Sequence, residues 1–198
     1  MPRGEKATLI ASKSGYANAS ADAIEGEVVM QLVRSAGAVV RIIDARDGRT
    51  LSGYVVARDA AGRVIASAHE TEGDGTSMLA VPPGEYRFSA SASEYGSETI
   101  RASVPSAELR IALPRGGKLL LRSNQDVHGT ARLLLPDGDM YVRCWCSGIA
   151  DIEINGRTTT VDAVSPGSYT LEVLPAGGKV RRYPVTVIQG ETVPVQID

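Results

Sequence analysis

Apolar and polar residues alternate with a period of two in several short segments of the chain. Tyr86, Phe88 and Ala90 alternate with Arg87 and Ser89, and residues 169–173 repeat the pattern as Tyr-Thr-Leu-Glu-Val. Successive side chains of a β-strand point to opposite faces, so this pattern predicts strands with one face in a core. Residues 109–113 and 193–197 are predicted to be the closing strands. No long window has helical periodicity, which favours an all-β fold.

Turn dipeptides punctuate these segments. Asp47-Gly48, Asp74-Gly75, Asp137-Gly138 and Asn155-Gly156 place glycine where a tight turn needs a positive φ. They are predicted to join antiparallel strands.

The chain also contains an internal repeat. Val81-Pro82-Pro83-Gly84-Glu85-Tyr86 recurs 83 residues later as Val164-Ser165-Pro166-Gly167-Ser168-Tyr169. Gly62 and Gly138 are only 76 residues apart, which predicts a seven-residue insertion after Gly138, near residues 147–155. We therefore expect tandem antiparallel β-sandwiches of immunoglobulin-like or prealbumin-like type. Residues 36–114 and 115–198 would form two full copies, and residues 1–35 the terminal strands of a preceding copy.

Both repeated segments end in Pro-Gly-x-Tyr. This element fits a tight turn that leads into a core strand, as in a tyrosine corner. Tyr86 and Tyr169 are accordingly predicted to be structural residues, with buried rings and hydroxyls bonded to nearby backbone.

Together with the Asp74-Gly75 turn and the earlier Leu51-Ser52-Gly53-Tyr54 segment, the first Pro-Gly-x-Tyr element resembles a carboxypeptidase regulatory-like domain. The resemblance covers both full copies. It implies a transthyretin-like (prealbumin-like) sandwich of about seven strands. It also implies a bacterial protein that acts outside the cell, at its surface or in the periplasm, and it transfers no catalytic or ligand-binding residue.

Composition narrows the classes of function. Hydrophobic residues make up 43% of the chain, and the net charge of -2 offers no electrostatic footprint for nucleic acid. No apolar run is long enough for a transmembrane helix, and residues 1–6 do not resemble the start of a signal peptide.

Candidate chemistry is sparse, so the sequence predicts no enzyme, no cofactor and no metal site. His69 and His128 are the only histidines, lie in different copies and are predicted to be surface residues. Cys144 and Cys146 are predicted to be buried free thiols on an apolar strand face. Calcium at Glu70, Glu72 and Asp74, or at Asp137 and Asp139, is a less favoured alternative.

One stripe of residues is a candidate binding site. Aligning Gly62 with Gly138 places Met140, Val142 and Cys144 on the core face, and Tyr141, Arg143 and Trp145 on the opposite face. An exposed Tyr-x-Arg-x-Trp stripe could stack on sugar rings or anchor a protein partner. The alternative is that the inserted segment, including Gly148 to Ile152, folds over the stripe and buries it.

Three functional hypotheses follow. The first is a non-catalytic structural spacer or accessory region of a bacterial secreted or surface protein. The second is a carbohydrate- or protein-binding module that uses Tyr141, Arg143 and Trp145. The third is an accessory domain of a larger peptidase or outer-membrane receptor.

Overall fold

A computed structural model of the chain describes residues 8–22, 28–69, 76–141 and 151–197. Every regular element in these ranges is a β-strand. The described residues contain no helix, and hence none that could cross a membrane. The predicted all-β class is confirmed.

The first full copy is a two-layer sandwich. Its strands are β3 Ala38–Asp44, β4 Gly53–Arg58, β5 Val64–His69, β6 Thr76–Leu79, β7 Gly84–Ala92, β8 Glu98–Val104 and β9 Leu109–Leu113. One layer has the strand order β6-β3-β9 and the other β5-β4-β7-β8.

Alternating apolar residues of both layers fill the space between them. Val40 and Ile42 of β3 face Val55 of β4 and Phe88 of β7, and all four are fully buried. Tyr86 is half-buried and packs against this core with its ring edge-on to Phe88.

The second copy connects its strands in the same order as the first, but its first two strands are longer. Its bounds are β10 Gly117–Leu134, β11 Ile152–Val164, β12 Gly167–Pro175, β13 Arg181–Val187 and β14 Thr192–Gln196. Strand β10 takes the places of β3 and β4, because its first half pairs with β14 and its second half with β12. In the first copy β3 pairs with β9 and β4 with β7 in the same senses.

All the buried apolar residues of the described ranges except Ala17 and Val56 fall into two clusters. One lies within residues 38–113 and the other within 119–197, with no shared side chain. At equivalent core positions the two copies fill a similar volume with different residues. The first copy pairs the large Phe88 with the small Ala57, whereas the second pairs two residues of intermediate size, Leu171 and Leu133. We keep 36–114 and 115–198 as the proposed domain boundaries.

An N-terminal hairpin precedes the first sandwich. It consists of β1 Thr8–Ala11 and β2 Ala19–Asp22, in which Ala11 pairs with Ala19. Ala90 pairs with Glu98 at the same spacing in the β7–β8 hairpin. This match supports the proposal that residues 1–35 are the terminal strands of a further copy.

Two details differ from the sequence-based expectation. Strands β9 and β14 pair in parallel with β3 and β10, because each follows a strand of the opposite layer and crosses over before it pairs. The Asn155-Gly156 dipeptide lies inside β11 and does not form a turn. Gly156, with φ 99°, pairs with Val127, where regular pairing of β10 with β11 resumes after the irregular stretch that follows Arg122.

The strand pairing locates the insertion of the second copy. Met140 pairs with Leu134 and Ile152 with Ala131, so the chain advances twelve residues on one side for three on the other. In the first copy Val64 and Ala68 bracket the equivalent step. The extra residues therefore lie between Tyr141 and Ile152, largely outside the described residues and slightly earlier than predicted.

Candidate functional site

The most elaborate polar structure in the described residues lies where the two sandwiches meet. Strand β9 ends at Leu113 and β10 begins at Gly117, so residues 114–116 form the whole connection. Backbone bonds hold it to the turn between β7 and β8: Gly96 donates to the Pro114 carbonyl, and Gly116 donates to the Glu94 carbonyl. An ion pair of 2.9 Å between Arg115 and Glu94 adds to these bonds.

Tyr95 fixes the same β7–β8 turn to the body of the first sandwich. Its ring is buried, and its hydroxyl donates to Asp44 at 2.7 Å while it accepts from Arg49 at 2.7 Å. The hydrogen bond from Tyr95 lowers the pKa of the Asp44 carboxyl. The turn that receives the second sandwich is therefore anchored at its base.

Tyr141 crosses the junction from the second sandwich. Its hydroxyl accepts hydrogen bonds from the backbone N–H groups of Ser97 (3.1 Å) and Ser165 (2.9 Å), and it lies 3.0 Å from Ser165 Oγ. Ser165 Oγ donates its own proton to the Ser97 carbonyl at 2.8 Å. The Tyr141 hydroxyl then donates its own proton to Ser165 Oγ. In this arrangement the Tyr141 hydroxyl, the Ser165 hydroxyl and the Ser97 carbonyl all have hydrogen-bond partners. We call Tyr141, Ser165 and Ser97 the junction network.

Small residues let the two backbones approach at this point. A Cβ atom on Gly96 would collide with the Cα and Oγ atoms of Ser165. A Cβ atom on Gly116 would lie 2.7 Å from the Cα of Ala163. The sandwiches are therefore in direct backbone contact and are not separated by a flexible linker.

Ser165 is where the second copy departs from the repeated motif, because the first copy has Pro82 there. Proline has no backbone N–H, so it could not donate to Tyr141. The Ser165 carbonyl also accepts a hydrogen bond from the buried hydroxyl of Tyr169 at 2.8 Å. This confirms the predicted tyrosine corner for Tyr169, whereas the Tyr86 hydroxyl has no hydrogen-bond partner among the described residues.

The backbone geometry of the junction also occurs at the N-terminal hairpin. Ala17 donates to the Val33 carbonyl and Ser35 to the Gly15 carbonyl, as Gly96 and Gly116 do one copy later. The bridge between Tyr16 and Arg34 corresponds to the one between Tyr95 and Arg115. One connection geometry is therefore used twice along the chain.

The structure does not place Tyr141, the first residue of the predicted aromatic stripe, on the surface. Tyr141 was expected to face solvent, but it is only 6% exposed and packs edge-on against Tyr169 at 5.2 Å between ring centroids. Met140, expected in the core, is 47% exposed. The first copy has the same reversal at Val64, because a bulge after the turn places Ile65 as an extra residue. Arg143 and Trp145 lie outside the described residues, and their binding role stays a prediction.

The remaining candidate groups do not converge on a catalytic or metal site within the described ranges. His69 and His128 are both exposed, as predicted, and lie on different sandwiches. No group of three or more potential metal ligands occurs in this part of the chain. Cys144, Cys146 and the acidic residues 70–74 lie outside the described residues, while Asp137 and Asp139 belong to an exposed turn.

A half-buried carboxyl at the junction should make the stability of the chain depend on pH. Glu98 is half-buried next to Ser97, and burial raises the pKa of its carboxyl. The folded state therefore binds the Glu98 proton more tightly than the unfolded chain does. The stability that this protonated carboxyl contributes is lost as pH rises through its native-state pKa. Glu98→Gln should raise the free energy of unfolding at pH 7 by a few tenths of a kcal/mol, with no gain near pH 4.

Urea denaturation at both pH values measures this difference. Glu85→Gln, at an exposed position of β7, is the matched control. A Glu98→Gln variant that is less stable than the wild type at pH 7 would contradict the assignment.

Comparisons with known proteins give only distant similarity. No protein-family model matches the chain, and no curated protein is significantly similar to it in sequence. Among solved structures, the Bacillus anthracis TIE protein is 13% identical over 97% of this chain, with a TM-score of 0.37. This chain spans 42% of that structure's length.

Two pilins give similar values. The Streptococcal ancillary pilin is 13% identical, with a TM-score of 0.33 and coverage of 97% of this chain and 75% of the pilin. The shaft pilin SpaA from Lactobacillus rhamnosus GG is 8% identical, with a TM-score of 0.33 and coverage of 82% and 96%. The strand pairing of the chain itself defines its all-β sandwich fold.

Proposed function

We propose that the chain is a non-catalytic run of β-sandwich modules that acts as a structural spacer or accessory region of a secreted or surface protein. The observation that carries this proposal is the junction network, in which two part-buried hydrogen bonds join one sandwich directly to the next: Ser97 N–H donates to the Tyr141 hydroxyl, and Ser165 Oγ donates to the Ser97 carbonyl. A spacer must keep its length and direction, and consecutive modules in backbone contact provide both.

Two further features support this role. The connection of residues 114–116 is too short and too fully bonded to behave as a flexible linker. The same connection geometry at residues 15–17 and 33–35 supports a repeating unit whose modules would follow one another in a constant way. The extracellular setting and the carboxypeptidase regulatory-like assignment belong to the proposal and derive from the resemblance of the Pro-Gly-x-Tyr segments.

Small-angle X-ray scattering on the full chain tests the spacer role. A variant with a Gly-Ser insertion of about six residues after Pro114 is the comparison, because such a linker is flexible. We expect one arrangement of the sandwiches to fit the wild-type data and an ensemble to be needed for the insertion variant. Indistinguishable curves that both require an ensemble would refute a fixed spacer.

A binding role for Arg143 and Trp145 remains the alternative proposal, without Tyr141. Trp145→Ala should abolish glycan or protein binding and leave the fold intact if this segment is a site. Loss of folding in this variant would instead indicate a packing role.

A further inference from the structure

A cleft with a volume of about 860 Å³ lies between the two sandwiches at their junction. The first sandwich contributes Tyr54, His69 and the β7–β8 turn, and the second contributes Lys118 and Asp162. Its size is that of a small-molecule site, and module boundaries are a common place for such sites. The junction network lies beside it and holds the two walls together.

The charged groups of the cleft are balanced. Glu94 pairs with Arg115 at 2.9 Å, and Lys118 pairs with Asp162 at 2.8 Å. Two carboxylates and two cations leave the lining with no net charge, so it does not select an anion or a cation. Each pair nevertheless presents a donor and an acceptor side by side, which matches the adjacent hydroxyls of a sugar.

Aromatic rings line the opposite part of the cleft. Tyr54 and His69 are cross-strand neighbours on β4 and β5, with ring centroids 6.4 Å apart and a tilt of 41°. Tyr54 is half-buried and His69 is exposed. An aromatic face provides an apolar surface for the C–H groups of a sugar ring.

We propose that the junction cleft binds a neutral saccharide between the Tyr54–His69 pair and the two ion pairs. The proposal depends on the fixed-junction function only because the two walls must be held at a constant separation. It is distinct from the Arg143 and Trp145 hypothesis, since neither of those residues is used.

Amide chemical shifts of the ¹⁵N-labelled full chain test the proposal. The probes are neutral hexasaccharides of glucose, mannose, galactose, xylose and N-acetylglucosamine, each at about 10 mM. We expect at least one of them to shift amides of residues 52–54, 91–97 and 115–118, and to leave residues 181–187 unchanged.

Two variants make the test specific. Tyr54→Ala and Asp162→Ala should each weaken binding about tenfold. Asp126→Ala removes a similarly exposed ion pair with Arg157 outside the cleft and should have no effect. Asp162 is exposed, so its variant keeps the test decisive even if Tyr54→Ala lowers stability.

Shifts confined to other surfaces, no shift with any of the five sugars, or unchanged binding by both variants would overturn the saccharide site. If the wild type also needs an ensemble to fit its scattering data, the fixed junction has failed as well. If it scatters as one arrangement, only the saccharide site has failed.

Discussion

Replacing Phe88 with alanine should unfold the first sandwich selectively. Phe88 is fully buried in the first core, so its truncation should cost about 3–5 kcal/mol. That is a large part of the 5–15 kcal/mol typical of a domain. The second core shares no side chain with the first and should survive. Hydrogen exchange should therefore become fast in residues 84–104 and stay slow in residues 167–187.

Leu171→Ala is the matched control for this experiment. Leu171 occupies the equivalent position in the second core, is also fully buried, and should produce the opposite pattern of exchange. Equal loss of protection in both segments for either variant would mean that the chain unfolds as one undivided core, contrary to the two separate hydrophobic clusters.

Removing the Tyr141 hydroxyl should weaken the junction without disturbing the second core. Tyr141→Phe keeps the ring against Tyr169 but leaves the buried N–H of Ser165 and the N–H of Ser97 without their acceptor. The expected loss is about 2 kcal/mol, since an unsatisfied buried donor loses its solvation without compensation. Urea denaturation of Tyr141→Phe and the wild type measures this loss.

Tyr86→Phe is the control, because it makes the same chemical change at a tyrosine whose hydroxyl has no described partner. It should change the free energy of unfolding by less than about 0.5 kcal/mol. A Tyr141→Phe variant as stable as Tyr86→Phe would show that the junction network contributes nothing measurable.

The repeat and the core strands could be predicted from the sequence because both rest on periodicity. Phe88 and Leu171 lie at the centre of clean alternations, and the Pro-Gly-x-Tyr elements mark their turns. Parallel pairing of β9 and β14 could not be predicted, because the alternation of a strand does not define its neighbour or its direction.

The junction was missed for a different reason. Strict alternation from the Asp137-Gly138 turn assigns Tyr141 to solvent, but the equivalent strand of the first copy has an extra residue, Ile65, that changes which face the first residues of the strand occupy. Ser165 in place of Pro82 was the available signal, because it restores a backbone donor that the first copy lacks. The turn at Glu94 could not be predicted either, because Glu94 is not a glycine yet adopts the positive φ that Gly15 adopts one copy earlier.

We infer that the junction network holds two sandwiches of the same topology as one rigid unit. Residual dipolar couplings of backbone amides test it most directly, because they report the orientation of each sandwich in a common alignment frame. We expect a single alignment tensor to fit the strands of residues 38–113 and 117–197 together. Separate tensors of unequal magnitude for the two ranges would show independent motion and contradict it.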